Sequence, residues 1–149
     1  MALSTTNPNV PQGQLNRLRG SLQVVAFPNL NVTPSFLGKE GINLRFETPT
    51  TEYIDTMTGG VPSPAPYQRV EVSMHLLRTQ GLSVLYEQQK QVLSTIGTIV
   101  LFIDSTIFPA WTFLNCSIMN VDPMRIDGTQ PDYTVMLNGF YNINASLWT

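Results

Sequence analysis

Thr48–Pro66 reads TPTTEYIDTMTGGVPSPAP, and what becomes of this stretch decides the fold around it. Pro49, Pro62, Pro64 and Pro66, with the Gly59-Gly60 pair, predict an irregular segment that neither a helix nor a hydrogen-bonded ladder runs through. Yet it also holds Tyr53, Ile54, Met57 and Val61. Structureless connections of this length are uncommon inside a compact domain and usually functional. Large apolar groups do not suit a solvated tether, so the expectation is that something outside the monomer buries them. That points to self-assembly rather than catalysis.

The flanking runs alternate as strands do. In Gly41–Glu47 the apolar Ile42, Leu44 and Phe46 fall on one face and Asn43, Arg45 and Glu47 on the other. In Arg69–Thr79 the apolar Val70, Val72, Met74 and Leu76 alternate with Arg69, Glu71, Ser73 and His75. Both predict half-buried strands, an antiparallel pair joined by an outsized loop. Working outward, residues 1–14 lack periodicity and read as an extended arm. Leu15–Phe27 nearly alternates and stops at Pro28-Asn29, a strand closed by a turn. Leu30–Phe36 fits a short strand or coil, and Gly38 and Gly41 bracket a second turn.

At Leu82 the period changes. Leu82, Leu85, Tyr86, Val92, Leu93 and Ile96 are spaced near 3.6 residues, predicting one helix with Thr79 or Ser83 as N-cap and Gly97 as C-cap. Thr98–Ile103, Trp111–Val121 and Asp132–Leu147 complete the strands, separated by the turns VDPM and DGTQPD. The expected fold is mainly β: an antiparallel β-sandwich or barrel of six to seven strands with one flanking α-helix and the long inter-strand loop. Residues 1–149 read as a single domain.

Charged residues are 12% of the chain and the formal net charge is −2, against roughly 25% charged in ordinary soluble domains. A surface this poor in charge repels its neighbours weakly. The charge balance also disfavours a sequence-reading nucleic-acid binder, which needs a basic patch. The N-terminal MALSTTNPNVPQGQ has neither a basic region nor an apolar core, and no apolar run reaches the roughly 18 residues of a membrane span, so no membrane role is expected.

Candidates for chemistry are few. The single cysteine, Cys116, lies among Phe113, Leu114 and Ile118 and reads as a buried structural thiol. His75, Ser73 and Glu71 share the polar side of one strand and form the best case for a small enzyme. The same row is what any solvated or lumen-facing strand shows. The run DPMRIDGTQPD has three Asp but lacks the ordered ligands and terminal Glu of a calcium loop, so a double turn is the stronger reading. No phosphate loop, dinucleotide fingerprint, CxxC or nucleophile elbow occurs. No catalytic residue, metal or cofactor is therefore expected. A monomeric β-sandwich that binds carbohydrate or peptide through Tyr53, Tyr67 and Trp111 stays open.

Taken in order, these pieces resemble the tail tube proteins of tailed bacteriophages. The likeness spans Leu15 to Trp148. Its strongest local matches are Met57-Thr58-Gly59-Gly60-Val61 at the loop tip and His75-Leu76-Leu77-Arg78-Thr79-Gln80 running into the helix. The resemblance implies hexameric rings stacked into a tube in the virion tail, around a channel that holds the tape-measure protein and later passes double-stranded DNA. It implies inter-ring contacts through Tyr53, Ile54, Met57, Gly59, Gly60, Val61 and Tyr67. Asn43, Arg45, Glu47, Arg69, Glu71, Ser73 and His75 would face the channel. Further partners would be baseplate and terminator proteins and, around a contractile tail, a sheath. Arg45 and Arg69 in such a channel call for offset by Glu47 and Glu71, or else the two strand faces are exchanged. A ring-forming tube protein of a bacterial secretion or contractile injection system fits the same residues.

Overall fold

The computed structural model describes residues 18–77, 79, 81–105, 107–122 and 132–147. Period-two alternation does what it predicts and pleats about half of these residues into one antiparallel sheet. Its strands are β1 (Gly20–Val24), β2 (Leu37–Phe46), β5 (Tyr67–Leu77), β6 (Thr95–Ile103), β7 (Trp111–Asp122) and β8 (Asp132–Asn142), in the order β1-β6-β7-β8-β5-β2. β3 (Thr51–Asp55) and β4 (Gly60–Pro64) form a separate two-stranded ribbon. One helix, α1 (Leu82–Val92), follows β5. The fold is thus mainly β with one helix, as the sequence indicates.

One face of the large sheet is the core. Leu22, Val24, Val70, Val72, Met74, Leu76, Ile99, Phe113, Val135 and Leu137 are buried there. The pairs Leu44↔Val72 and Val72↔Leu137 show these side chains in cross-strand rows. The sheet curls strongly. A Cβ placed on Gly20 of β1 would lie 3.2 Å from Ile42 Cδ1 of β2, although these are the two outermost strands. Inside the curl, Phe46 contacts Trp111 and Tyr141, with ring centroids 5.5 and 5.7 Å away.

Helix α1 is tied down by Tyr86, which is fully buried and donates its hydroxyl to the Leu30 carbonyl at 2.6 Å. Leu30 ends a short 3-10 turn, Pro28–Leu30, and a second such turn spans Pro34–Phe36. Between them Val32 bridges Leu22 of β1 through hydrogen bonds of 2.9 and 2.8 Å, and the Asn31 side chain accepts from the Val24 amide at 2.8 Å. The outer edge of β1 is therefore sealed. Nothing comparable covers the outer edge of β2 among the described residues.

The structure corrects the sequence reading in several places. Residues 48–66 are not an irregular loop: Thr51–Asp55 pairs with Gly60–Pro64 in an unbroken antiparallel register. Proline forbids a ladder only where its nitrogen must donate inward. Pro62 and Pro64 are two residues apart, and the next amide of the same strand run that does bond inward is Ala65, to Thr50 at 2.9 Å. Both prolines thus turn their donor-less nitrogens to the ribbon's free edge.

The turn expected between Gly38 and Gly41 lies inside β2. Gly41 takes φ +64°, and the register against β5 slips between Leu37 and Ile42, a bulge that only a left-handed residue makes cheaply. The helix ends at Val92, well before Gly97, which instead sits in β6 at φ +80° beside another register slip. Leu93 is already extended, and Ile96 reaches the core from β6. Neither Thr79 nor Ser83 caps the helix; Gly81 holds that position and Ser83 is buried in the first turn. Leu30–Phe36 is two 3-10 turns around a bridge, β1 begins at Gly20 and ends at Val24, and β8 ends at Asn142. The N-terminal arm and most of the DPMRIDGTQPD run lie outside the described residues.

Candidate assembly surfaces

Three surfaces stand out once the core is accounted for. The first is the β3–β4 ribbon. Its large side chains are bare: Tyr53 is 73% exposed, Ile54 59%, Val61 51%, and Met57 at the tip is fully exposed. Cross-strand register sorts them by face. Tyr53 lies opposite Pro62 on one face, and Ile54 lies opposite Val61 on the other. The ribbon is therefore apolar on both sides. Gly59 and Gly60 close its turn, where the Thr56 amide bonds the Gly59 carbonyl at 2.7 Å. Tyr67 is separate from this group: it opens β5 and packs edge-on against Phe140, centroids 5.0 Å apart.

The second surface is the back of the sheet, opposite the core. Register places Asn43 beside Ser73 and Arg45 beside Glu71 across β2 and β5. His75 lies opposite Thr134, and Glu71 opposite Asn138, across β5 and β8. Glu47 follows β2 directly, its amide bonded to the Arg69 carbonyl at 2.8 Å. Asn43, Arg45, Glu71, Ser73 and His75 thus share one face, with Arg69 in the same row of β5, while Val70, Val72, Met74 and Leu76 face the core. Arg45 and Arg69 are matched by Glu47 and Glu71 at the same end of the sheet. The hydrogen bond that the protonated Glu71 carboxyl donates to Glu47, then burial, raises Glu71 above its ordinary range, with Arg45 pulling the other way.

Glu71 turns to Glu47 and Arg45, and the His75 Nε2 atom is 3.5 Å from Asn43 Nδ2. Glu71 and His75 thus meet partners from the β2 side of the pair. Apolar residues the sequence reading left out also share the back face: Met136 opposite Ser73, and Phe140 opposite Arg69. Strict alternation along Asp132–Asn142 was the signal for them. Cys116 is fully buried in the core, where burial pushes its thiol up to about 12.

The third surface was not legible in the sequence. Where the curled edges approach, a cleft of about 400 Å³ opens between the β1 side, with Leu18 and Phe108, and the β2 side, with Leu37 and Ile42. Trp111 lines it, and its buried indole N–H has no hydrogen-bond partner among the described residues. Arg19, paired with Asp104, and Lys39 stand on its lip. No helix of the described residues is long and apolar enough to cross a membrane.

Fold and surfaces together define a mainly β protein with a curled six-stranded sheet, one anchoring helix and a projecting ribbon. No protein-family model and no curated protein matches the chain. Among solved structures it is similar to one described as the cryo-EM structure of the anti-feeding prophage cap, the tube terminating cap. That likeness covers 95% of each chain at 12% identity, with a TM-score of 0.45. So slight a likeness assigns no family.

Proposed function

We propose that this protein is a structural subunit of a tail tube rather than an enzyme. Copies close into hexameric rings, rings stack through the β3–β4 ribbon, and the back faces of β2, β5 and β8 line the channel for double-stranded DNA. The tube belongs to a virion tail, with tape-measure, baseplate and terminator proteins as its further partners. The observation that carries this reading is the ribbon, apolar on both faces and bare in the monomer. Exposed apolar surface of this kind marks an interaction site. The back face supports it. A channel through which DNA slides must not neutralise phosphates with unpaired cations, because each such contact adds a salt-dependent grip. Here Arg45 lies directly across from Glu71.

Negative-stain electron microscopy of the concentrated purified protein tests the proposal. Rings or hollow fibres with a central channel are expected. A clean monomer at every concentration overturns it.

A further inference from the structure

A ribbon that is apolar on both faces cannot be covered by one flat surface. Tyr53 and Pro62 point one way, Ile54 and Val61 the other, so laying either face on a sheet leaves the opposite one wet. It needs a slot with two apolar walls. The seam between β1 and β2 is such a slot, with Leu18 and Phe108 on one side and Leu37 and Ile42 on the other. Its volume of about 400 Å³ is that of a site for a group of side chains rather than a whole ribbon, within the roughly 300–1,000 Å³ of typical binding clefts. The tip residues Ile54, Met57 and Val61 are the natural occupants.

We propose that the ribbon tip of one copy inserts into the β1–β2 cleft of a second copy. Among the described residues neither surface is covered, and the ribbon does not reach the cleft of its own chain. Ribbon and cleft are different patches, so the contact is head-to-tail, and where its rotation does not close into a ring it runs on from copy to copy, as stacking requires. The ribbon's ionisable acids and bases besides Tyr53 are Glu52 and Asp55; the cleft is lined by Arg19, Lys39 and Glu40, so contact there rests on its apolar walls rather than on charge. Docking is through side chains, because Pro62 and Pro64 remove the donors that strand addition along β4 would use. The proposal rests on the assembly role of the ribbon and names its receptor.

Disulfide trapping in the full-length protein tests it. Cys116 is buried with its thiol pushed up to about 12, so it does not compete with thiols placed at exposed positions. Protein carrying Met57→Cys is co-assembled with protein carrying Lys39→Cys, or with a control carrying Gln88→Cys on α1, then oxidised and run on a non-reducing gel. The 57–39 heterodimer is expected to exceed the 57–88 heterodimer at least tenfold. Assembled particles in which the two bands are equal, or in which 57 bonds chiefly to 57, overturn the cleft assignment and leave the ribbon's role standing. A bond from Lys39→Cys to a cysteine placed at Thr5 of its own chain, in preference to 57, gives the cleft to the N-terminal residues and likewise overturns it. Failure of every mixture to assemble overturns both readings.

Discussion

Stripping the ribbon of its apolar side chains separates assembly from folding. The variant Tyr53→Ser, Ile54→Thr, Met57→Ser, Val61→Thr keeps β-branched residues in the ladder and removes side chains that are exposed by half or more of their surface. Between them they present roughly three side chains' worth of apolar surface, and covering it contributes on the order of 4–8 kcal/mol per copy, at about 1.5–3 kcal/mol for each fully buried side chain. Association consumes part of this in lost rigid-body and side-chain freedom. If only half survives, the critical concentration for assembly rises at least about 30-fold, since 1.4 kcal/mol is a factor of ten. The monomer does not use these contacts, so its unfolding free energy shifts by no more than about 0.5 kcal/mol. Sedimentation across a concentration series reads the first quantity and chemical denaturation the second. Assembly at the wild-type concentration refutes the reasoning, and so does a monomer destabilised by several times that margin, which would make the ribbon part of the fold.

Three further perturbations probe the subunit itself. Tyr86→Phe leaves the buried Leu30 carbonyl without its donor and is expected to cost about 1–3 kcal/mol in denaturant unfolding. Burial holds the Tyr86 hydroxyl far above its ordinary value near 10, a contribution present below that value and lost as pH climbs past it, so the variant should lose less stability than wild type in alkali. Glu71→Gln reports the carboxyl pair with Glu47. A raised carboxyl stabilises the fold below the ordinary value of 4.5 and loses that contribution as pH rises above it. The variant should therefore melt higher than wild type at pH 7, and the difference should vanish toward acid; parallel melting curves would contradict the pairing. Gly139→Ala sets a Cβ 2.5 Å from Cys116 Sγ and 3.3 Å from the Leu114 carbonyl, an overpacking worth about 1–3 kcal/mol. In a Cys116→Ala background that penalty should fall by about half, because the two sites share one contact.

What the sequence made legible follows from how far each signal reaches. β2 and β5 were readable because one buried face enforces period two, and the same alternation put Arg45 and Glu71 on the faces away from the core; their register across the pair was not legible. The helix was readable in its middle and not at its end. Leu93 and Ile96 continue a 3.6-residue spacing by coincidence, and a left-handed Gly97 serves a strand bulge as well as it serves a C-cap. The ribbon was hidden by a rule taken from central strands: proline breaks a ladder that needs its nitrogen, and a two-stranded ribbon has a side that does not. The prolines at 62, 64 and 66 share one parity, which is the mark of a tolerated edge. The cleft had no local signal. It is built from residues near 18–20, 37–42 and 108–111, brought together only by the curl of the sheet, and no spacing along the chain announces a curl.

The prolines of β4 also bear on what a cell can store. On the proposed tube role, a subunit made in many copies waits in solution with an apolar β-ribbon uncovered, which is the circumstance that seeds cross-β aggregation. Without donors at 62 and 64, that edge cannot template a further strand, which closes one of the ribbon's two edges to the wrong polymer while the side chains stay free for the right one. Pro62→Thr with Pro64→Thr restores the donors. Thioflavin-positive fibrils forming from that variant, and not from wild type, would show the hold released; identical behaviour of the two would show that something else keeps the pool soluble.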